Sequence, residues 1–310
     1  MRVLITGING FVGTHLSELL QKENVEIIGI DKQIKPESVV AQHEIDINNY
    51  ADLQKIIKDI KPDHIYHLAA PAFIPDSYNS PLETFQSIIF GTVNLLEIIR
   101  TSSPNSKLLF VGSADEYGMF QGMPFSEDML PDPCTPYASA KAAASMICRQ
   151  YAQFYDVNVV RTRSFNHIGP GQSPRFVCSS MARQIATIEK NGEICITLGN
   201  LHTNRDFLDV RDVVKAYYMI MCLDANAGEL YNICSGRYTS IENILNSFLD
   251  LTDLRKREGF IIENQTQYRK FDNVEICGNN NKLRAYTGWE ALIPIADTLR
   301  DTLNYWREQV

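Results

Sequence analysis

The stretch Thr6-Gly7-Ile8-Asn9-Gly10-Phe11-Val12-Gly13 most narrows what this chain can fold into. It follows a short apolar run, Val3 to Ile5. It opens a segment, Phe11 to Leu20, in which Val12, Leu16, Leu19 and Leu20 recur at helical spacing. Each glycine meets a separate steric demand. The first permits a tight turn, the second lets backbone approach a pyrophosphate, and the third lets the helix lie close on the strand. A helix starting there offers unpaired N–H groups to an anion. The stretch therefore predicts a strand, turn and helix that bind a dinucleotide through Gly7, Asn9, Gly10, Phe11, Val12 and Gly13.

Asp31 ends the next strand, Glu26 to Ile30, about twenty residues on, where an acid holds the adenosine ribose hydroxyls. This favours NAD(H) over NADP(H), although Lys32 beside it is a cation able to accept a 2′-phosphate. Asp46-Ile47, at the end of a short strand, is placed to reach the adenine edge.

Strands and helices then alternate. Helices are expected at Tyr50 to Ile60, Pro81 to Thr101 and Tyr137 to Phe154, and strands at His64 to Leu68, Leu108 to Val111 and Val157 to Arg161. Alternation of this kind predicts an α/β, Rossmann-type, doubly wound parallel sheet. After Ser164 the pattern loosens into short strands (Ile194 to Leu198, Leu230 to Ile233) and helices (Asp212 to Cys222, Ile241 to Leu249). Residues 1–165 are read as the dinucleotide domain, with parts of 205–235 returning to it, and 166–310 mainly as a smaller α/β lobe for the substrate.

Composition removes several classes. A net charge of -8 leaves nothing to track a nucleic-acid backbone. No apolar run is expected to approach the ~18 residues of a membrane span, and the opening residues do not resemble a secretory signal. The seven cysteines are scattered, and neither they nor the six histidines show ligand spacing. The expectation is a cytoplasmic protein with reduced thiols and no metal site.

Tyr137 and Lys141 lie four apart, one turn along one helix face. An ammonium there is expected to lower the tyrosine pKa toward working pH and make Tyr137 a proton donor or acceptor. Ser113 follows the Leu108 to Val111 strand, at the sheet edge where ligands of open α/β folds bind. Glu116 reads as a solvated or capping acid, and His167 as a packed loop residue near the nicotinamide.

The order of these motifs resembles the extended short-chain dehydrogenase/reductases of the nucleotide-sugar epimerase/dehydratase group. The likeness runs through the glycine motif, Asp46-Ile47, His67-Leu68-Ala69-Ala70, Ser113 before Tyr117-Gly118, and Tyr137 with Lys141. It continues through Arg163-Ser164-Phe165-Asn166, Arg205-Asp206-Phe207-Leu208-Asp209-Val210 and Arg269. The likeness implies cofactor contacts at Leu68, Ala69, Ala70, Tyr137, Lys141, Phe165, His167 and Ile168. It implies substrate contacts at Ser113, Asp115, Asn166, Phe176, Val177, Asn200, Arg205 and Arg269. The bland alternative for Arg205 is pairing with Asp206 or Asp209. The resemblance also implies a homodimer through the Pro81 to Thr101 and Tyr137 to Phe154 helices. Ile88, Ser164 and Lys270 depart from the pattern.

Within the group the chain is most similar to reductases of GDP-4-keto-6-deoxy-mannose, which make GDP-rhamnose. The likeness lies in Gly112 to Gly118, Phe165 to Gln172 and the closing Trp289 and Trp306 regions. Asp115 stands where dehydratases carry a glutamate, one methylene longer, and Ala114 lacks the aspartate of one dehydratase class. The cysteine and histidine of the epimerising reductases are absent at Asp115 and Gly171. The expectation is reduction of a nucleotide-linked 4-keto sugar by Ser113, Tyr137 and Lys141, with Asp115 in the catalytic group. A 4,6-dehydratase or 4-epimerase is the alternative, and a non-catalytic dinucleotide sensor a more distant one.

Overall fold

A computed structural model describes residues 1–35, 39–119, 122–192, 195–224, 226–254, 261–264 and 275–310. The first half lays down β1 (Arg2–Thr6), β2 (Glu26–Asp31), β3 (Ala41–Glu44), β4 (His64–His67), β5 (Lys107–Ser113) and β6 (Val159–Ser164). Between them run α1 (Phe11–Gln21), α2 (Tyr50–Ile60), α3 (Ile74–Asn79), α4 (Pro81–Phe85), α5 (Gly91–Ser102) and α6 (Pro136–Tyr155). A π-helical turn, Gln86–Phe90, joins α4 to α5. The second half adds β7 (Asn166–Ile168), α7 (Val177–Asn191), β8 (Ile196–Leu198), β9 (Asn204–Arg205), β10 (Phe207–Asp209) and α8 (Val210–Met221). It ends with β11 (Leu230–Ile233), β12 (Thr239–Ser240), α9 (Ile241–Asp250), β13 (Ile261–Glu263), α10 (Asn281–Thr287) and α11 (Ile295–Gln309).

Seven strands form one sheet in the order β11-β6-β5-β4-β1-β2-β3, and every pairing in it is parallel. The chain winds from β1 out to β3, then returns to β4 and winds the other way. The strand order therefore reverses between β1 and β4, which opens a crevice at their carboxyl ends. Successive residues of β1 are buried on opposite faces. Val3 and Ile5 pack with Leu16, Leu20, Val213 and Tyr217, and Leu4 packs with Leu53, Ile57, Leu96 and Ile99. Helices cover both faces, so the strands are continuously apolar rather than alternating. A further core joins α7, α9 and α11 through Met181, Ile185, Ile244, Phe248, Leu299 and Leu303.

Two expectations need correction. The continuous helix Pro81–Ser102 has 22 residues and is apolar enough, by length and composition alone, to cross a bilayer. Half of its most apolar window is buried within the protein. The strand expected at Val157 to Arg161 starts at Val159 and runs to Ser164, because Asp156 closes α6 in the left-handed conformation (φ 54°). The later start sets Ser164 opposite Ser113 at the sheet edge.

Candidate active site

At the reversal of strand order, Gly7 takes φ +74°. A Cβ on Gly13 would stand 2.3 Å from the Gly7 carbonyl oxygen, so helix and turn touch without a side chain between them. Gly10 caps α1 with no side-chain hydrogen bond, which leaves first-turn amides facing the cleft. These residues fit the pyrophosphate of a dinucleotide. His67 braces the turn. Thr92 Oγ1 donates to Ile88 O (2.6 Å) and so accepts from His67 Nε2 (3.1 Å). His67 Nδ1 then accepts from Thr6 Oγ1 (2.9 Å), which itself receives the Ala69 N–H (3.2 Å). Burial, aided by the Lys141 charge, pushes the His67 pKa down to about 3 and keeps this chain neutral. Ile88 contributes only its backbone oxygen.

Asp31 accepts the Asn9 N–H at 3.0 Å and the Lys32 N–H at 2.8 Å. Asn9 and Gln42 exchange amide hydrogen bonds of 2.9 and 3.0 Å. The Lys32 ammonium pairs with Asp46 at 3.1 Å. Ile47 is buried and gives its carbonyl to Asn94 (2.9 Å). Asp31, Lys32, Asp46, Ile47, Asn9 and Ala69 are not in the wall of the main cleft. That cleft, of about 1020 Å³, is lined by Gly7, Gly10, Phe11, Val12, Gly13, Leu68 and Ala70. It continues along Ser113, Asp115, Tyr137, Lys141, Phe165, Asn166, His167, Ile168, Phe176, Val177, Asn200 and Arg205. Arg269 and Lys270 lie outside the described residues.

Ser113 ends β5 and caps a 3-10 turn, Ala114–Tyr117. Its Oγ donates to Asp115 Oδ2 (3.0 Å) and accepts the Asp115 N–H (3.2 Å). Its N–H goes to Glu116 Oε1 (2.9 Å). Glu116 is fully buried and accepts Arg163 Nε at 3.0 Å. Of the two readings for Glu116, the structure therefore shows the capping acid.

Thr135 caps α6, its side chain accepting the Ala138 N–H at 3.1 Å, and Pro136 fills the first turn. This sets Tyr137 and Lys141 at the cleft end of the helix. The expected lowering of the Tyr137 pKa is not what the structure shows. Burial and then the Asp115 charge push it well up, with the Ser113 hydrogen bond opposing. Lys141 Nζ is 6.0 Å from the Tyr137 ring centroid and donates instead to Val111 O at 2.7 Å. Burial pushes Lys141 down to about 8, against the opposing charge of Glu116.

On the substrate side, Arg205 gives one N–H to Asn204 O (2.8 Å). Of the acids considered as its partners, Asp209 is paired with Arg211 (2.7 Å) and Asp206 accepts N–H groups from Ser235, Gly236 and Gly278. His167 stacks on Phe11 and bonds Phe165 O (3.0 Å). Ser164 lines the cleft and bonds the Tyr217 hydroxyl (2.8 Å). Sequence reasoning missed the loop before and within α3. There Phe73 meets Phe176 edge-on (5.6 Å), and Asp76 pairs with Arg175, which lies over Phe73 (4.0 Å). Only the cation beside Phe176 was available as a signal.

A family model described as GDP-mannose 4,6 dehydratase matches residues 4–302. The chain is 32% identical over 313 aligned residues to a GDP-6-deoxy-D-mannose reductase of Pseudomonas aeruginosa, covering 100% of this chain and 98% of that one. It is 31% identical over 286 residues to a GDP-6-deoxy-D-talose 4-dehydrogenase of Aggregatibacter actinomycetemcomitans, covering 91% and 90%. Its fold matches the structure of RMD from Pseudomonas aeruginosa in complex with NADPH, with a TM-score of 0.86 and 31% identity over 100% and 99% of the two chains.

Proposed function

The chain belongs to the GDP-mannose 4,6-dehydratase family of extended short-chain dehydrogenase/reductases, and we propose that it is the NAD(P)H-dependent reductase that turns GDP-4-keto-6-deoxy-D-mannose into GDP-D-rhamnose. Its reductase relative spans the whole chain. The observation that carries reduction over dehydration is Asp115. A dehydratase needs an acid that reaches the sugar's carbon 6. The Asp115 side chain is one methylene short of the usual glutamate, and its Oδ2 turns back to accept the Ser113 hydroxyl at 3.0 Å. A carboxylate displaced by about 1.5 Å loses on the order of 10²-fold in rate.

The nicotinamide cofactor, when bound, supplies the hydride to carbon 4. The remaining work falls to this chain. Tyr137, kept protonated by burial, protonates the forming alkoxide. Ser113 hydrogen-bonds the same oxygen as charge develops on it. Lys141 holds the nicotinamide ribose. The α1 amides and the Gly7, Gly10 and Gly13 turn take the pyrophosphate. Phe165, His167 and Ile168 pack beside the nicotinamide, and Leu68, Ala69 and Ala70 border the cofactor. Arg205 and Arg269 meet the sugar nucleotide's diphosphate, because a guanidinium can bond two phosphate oxygens at once. Asn166, Phe176, Val177 and Asn200 line the rest of that site.

The same reading places the protein in the cytoplasm as a homodimer, with Pro81 to Thr101 and Tyr137 to Phe154 as the interface. Exposed Leu82, Phe90, Met146 and Phe154 supply an apolar surface for it. NAD(H) is favoured because the Asp31 carboxylate ends β2 at the ribose end while the adjacent cation, Lys32, is held by Asp46. The talose relative motivates a second product, the carbon-4 epimer.

The test is incubation of purified protein with GDP-mannose and, separately, with the keto sugar made by another dehydratase. The keto sugar should consume reduced cofactor and yield GDP-rhamnose. Tyr137→Phe should lower that turnover by about 10²–10⁴-fold with cofactor affinity retained. Keto product from GDP-mannose alone would make the chain a dehydratase. GDP-6-deoxytalose as product would reverse the stereochemistry. Turnover only with dTDP, UDP or CDP sugars would reject the base.

A further inference from the structure

We propose that Glu116, held in place by Arg163, is the positioning residue of the site: it fixes the Ser113 turn and is the buried negative charge that keeps Lys141 charged. The inference rests on the proposed roles of Ser113 and Lys141. Glu116 is 0% exposed and Arg163 4% exposed, so neither charge is supported by water. Both carboxylate oxygens are engaged. One accepts the Ser113 N–H, and the other accepts Arg163 Nε. The Glu116 backbone oxygen also takes the Asp132 N–H (3.0 Å), so the turn is tied to the chain that leads into α6. Arg163 is locked in its turn. Its guanidinium lies 4.2 Å from the Tyr117 ring centroid and donates to Met129 O (3.3 Å). Tyr117 is stacked on Phe125 (4.8 Å) and its hydroxyl donates to Asn232 Oδ1 (2.7 Å).

A capping acid on the surface needs no such support. A buried carboxylate is retained only where a cation and hydrogen bonds offset its lost hydration. Burial pushes the Glu116 carboxyl up, and the charge and hydrogen bond of Arg163, the Ser113 N–H and the Lys141 charge all oppose that rise. Lys141 Nζ bonds Val111 O while Glu116 accepts the Ser113 N–H two residues along β5, so both side chains are anchored at the same strand end. The other groups around Lys141 cannot replace Glu116. His67 on β4 is neutral, Cys148 and Tyr137 on α6 itself are held protonated by burial, and Arg161 on β6 carries the same sign as Lys141. Asp115 acts on Tyr137.

The sign of the pH effect follows. Burial alone drives the Lys141 proton off at lower pH, and Glu116 opposes it. Glu116→Gln keeps an oxygen for the Ser113 N–H but removes the charge, so Lys141 should lose its proton at lower pH. A direct readout is competitive acylation of Lys141 against pH, followed by mass spectrometry of its peptide, because only the neutral amine reacts. The alkaline limb of kcat for the keto sugar is the functional readout. In Glu116→Gln both should move down by on the order of one pH unit. Arg163→Met, which leaves the acid to take up a proton, should move them the same way. Arg163→Lys, which keeps the cation, should leave the limb in its wild-type position.

A loss of rate that is equal at every pH, with Lys141 labelling unmoved, would reduce Glu116 to a structural cap and overturn the proposal. Should Glu116→Gln show no cooperative thermal transition and so not be folded, the Arg163 pair decides: identical labelling curves for Met and Lys reject it. Because labelling needs no substrate, wild-type inactivity toward keto sugars would reject the proposed reaction without touching this result.

Discussion

A phenol that must give up a proton at neutral pH has to keep it until the alkoxide forms. Tyr137 keeps its proton because burial and the Asp115 charge both disfavour the phenolate. Such a residue is set to donate, which is the direction reduction requires. Asp31, at the end of β2 and outside the wall of the main cleft, makes the companion case. Its carboxylate is oriented by two backbone N–H groups and pairs with no side-chain cation among the described residues, Lys32 leaning instead to Asp46. Asp31→Ala is expected to weaken NADH and to spare or improve NADPH. A hydrogen bond to a charged group contributes about 1.5–3 kcal/mol, so NADH affinity should fall about tenfold or more. Titration of both cofactors by fluorescence checks this, and an unchanged NADH-to-NADPH ratio would place the discrimination elsewhere. That Ser113, Tyr137 and Lys141 meet at one cleft was legible because spacing and strand ends place them there. The state of Tyr137 was not, because spacing places the ammonium nearby but does not show that Lys141 Nζ donates to Val111 O.

At the scale of elements, α1 and α5 announced themselves through leucines and isoleucines at helical spacing, and α6, whose buried face is mostly alanine, through Tyr137 and Lys141 one turn apart. The helices α7 and α11 did not. The buried face of α7 includes Cys178, Ser179, Ala182 and Ala186, small side chains that give little apolar contrast. In α11 the buried face alternates Leu299 and Leu303 with Thr298 and Thr302, whose hydroxyls bond Asp209 and the Thr298 carbonyl. A threonine buried by hydrogen bonding looks polar in the sequence and behaves as core. The entry to α6 shows the opposite, a strong local signal with a long reach. Thr135 satisfies one orphan N–H of the helix that carries both Tyr137 and Lys141. Thr135→Ala should cost about 1 kcal/mol, which lowers Tm by about 2–4 °C. Thr135→Ser should recover it. Equal melting curves for the three proteins would show that Pro136 alone sets the helix start.

At the scale of the whole molecule, an apolar surface on α4 to α6 stays exposed among the described residues. Phe90 is 59% exposed and Phe154 78% exposed, in a protein whose sheet core is otherwise closed by helices. Glu97 and Arg100 pair nearby, and Tyr151 donates to Glu97 at 2.6 Å. Pairs of this kind suit a protein face with a polar rim, and sit poorly in the middle of a bilayer. Association of two copies through this surface would bury those rings and leave the cleft of each chain intact. Burial of one such ring contributes about 1.5–3 kcal/mol, whereas a carboxylate in its place would have to be stripped of water at the same contact. Phe90→Glu and Phe154→Glu should each shift the protein from dimer to monomer in sedimentation velocity. The monomers should keep their cofactor affinity, because no side chain of the second copy is needed at the pyrophosphate turn. A wild-type protein that sediments as a monomer at all concentrations would remove the dimer. Variants that remain dimeric would move the interface to another face. Extraction of the wild type only with detergent would instead assign the Pro81–Ser102 helix to a membrane.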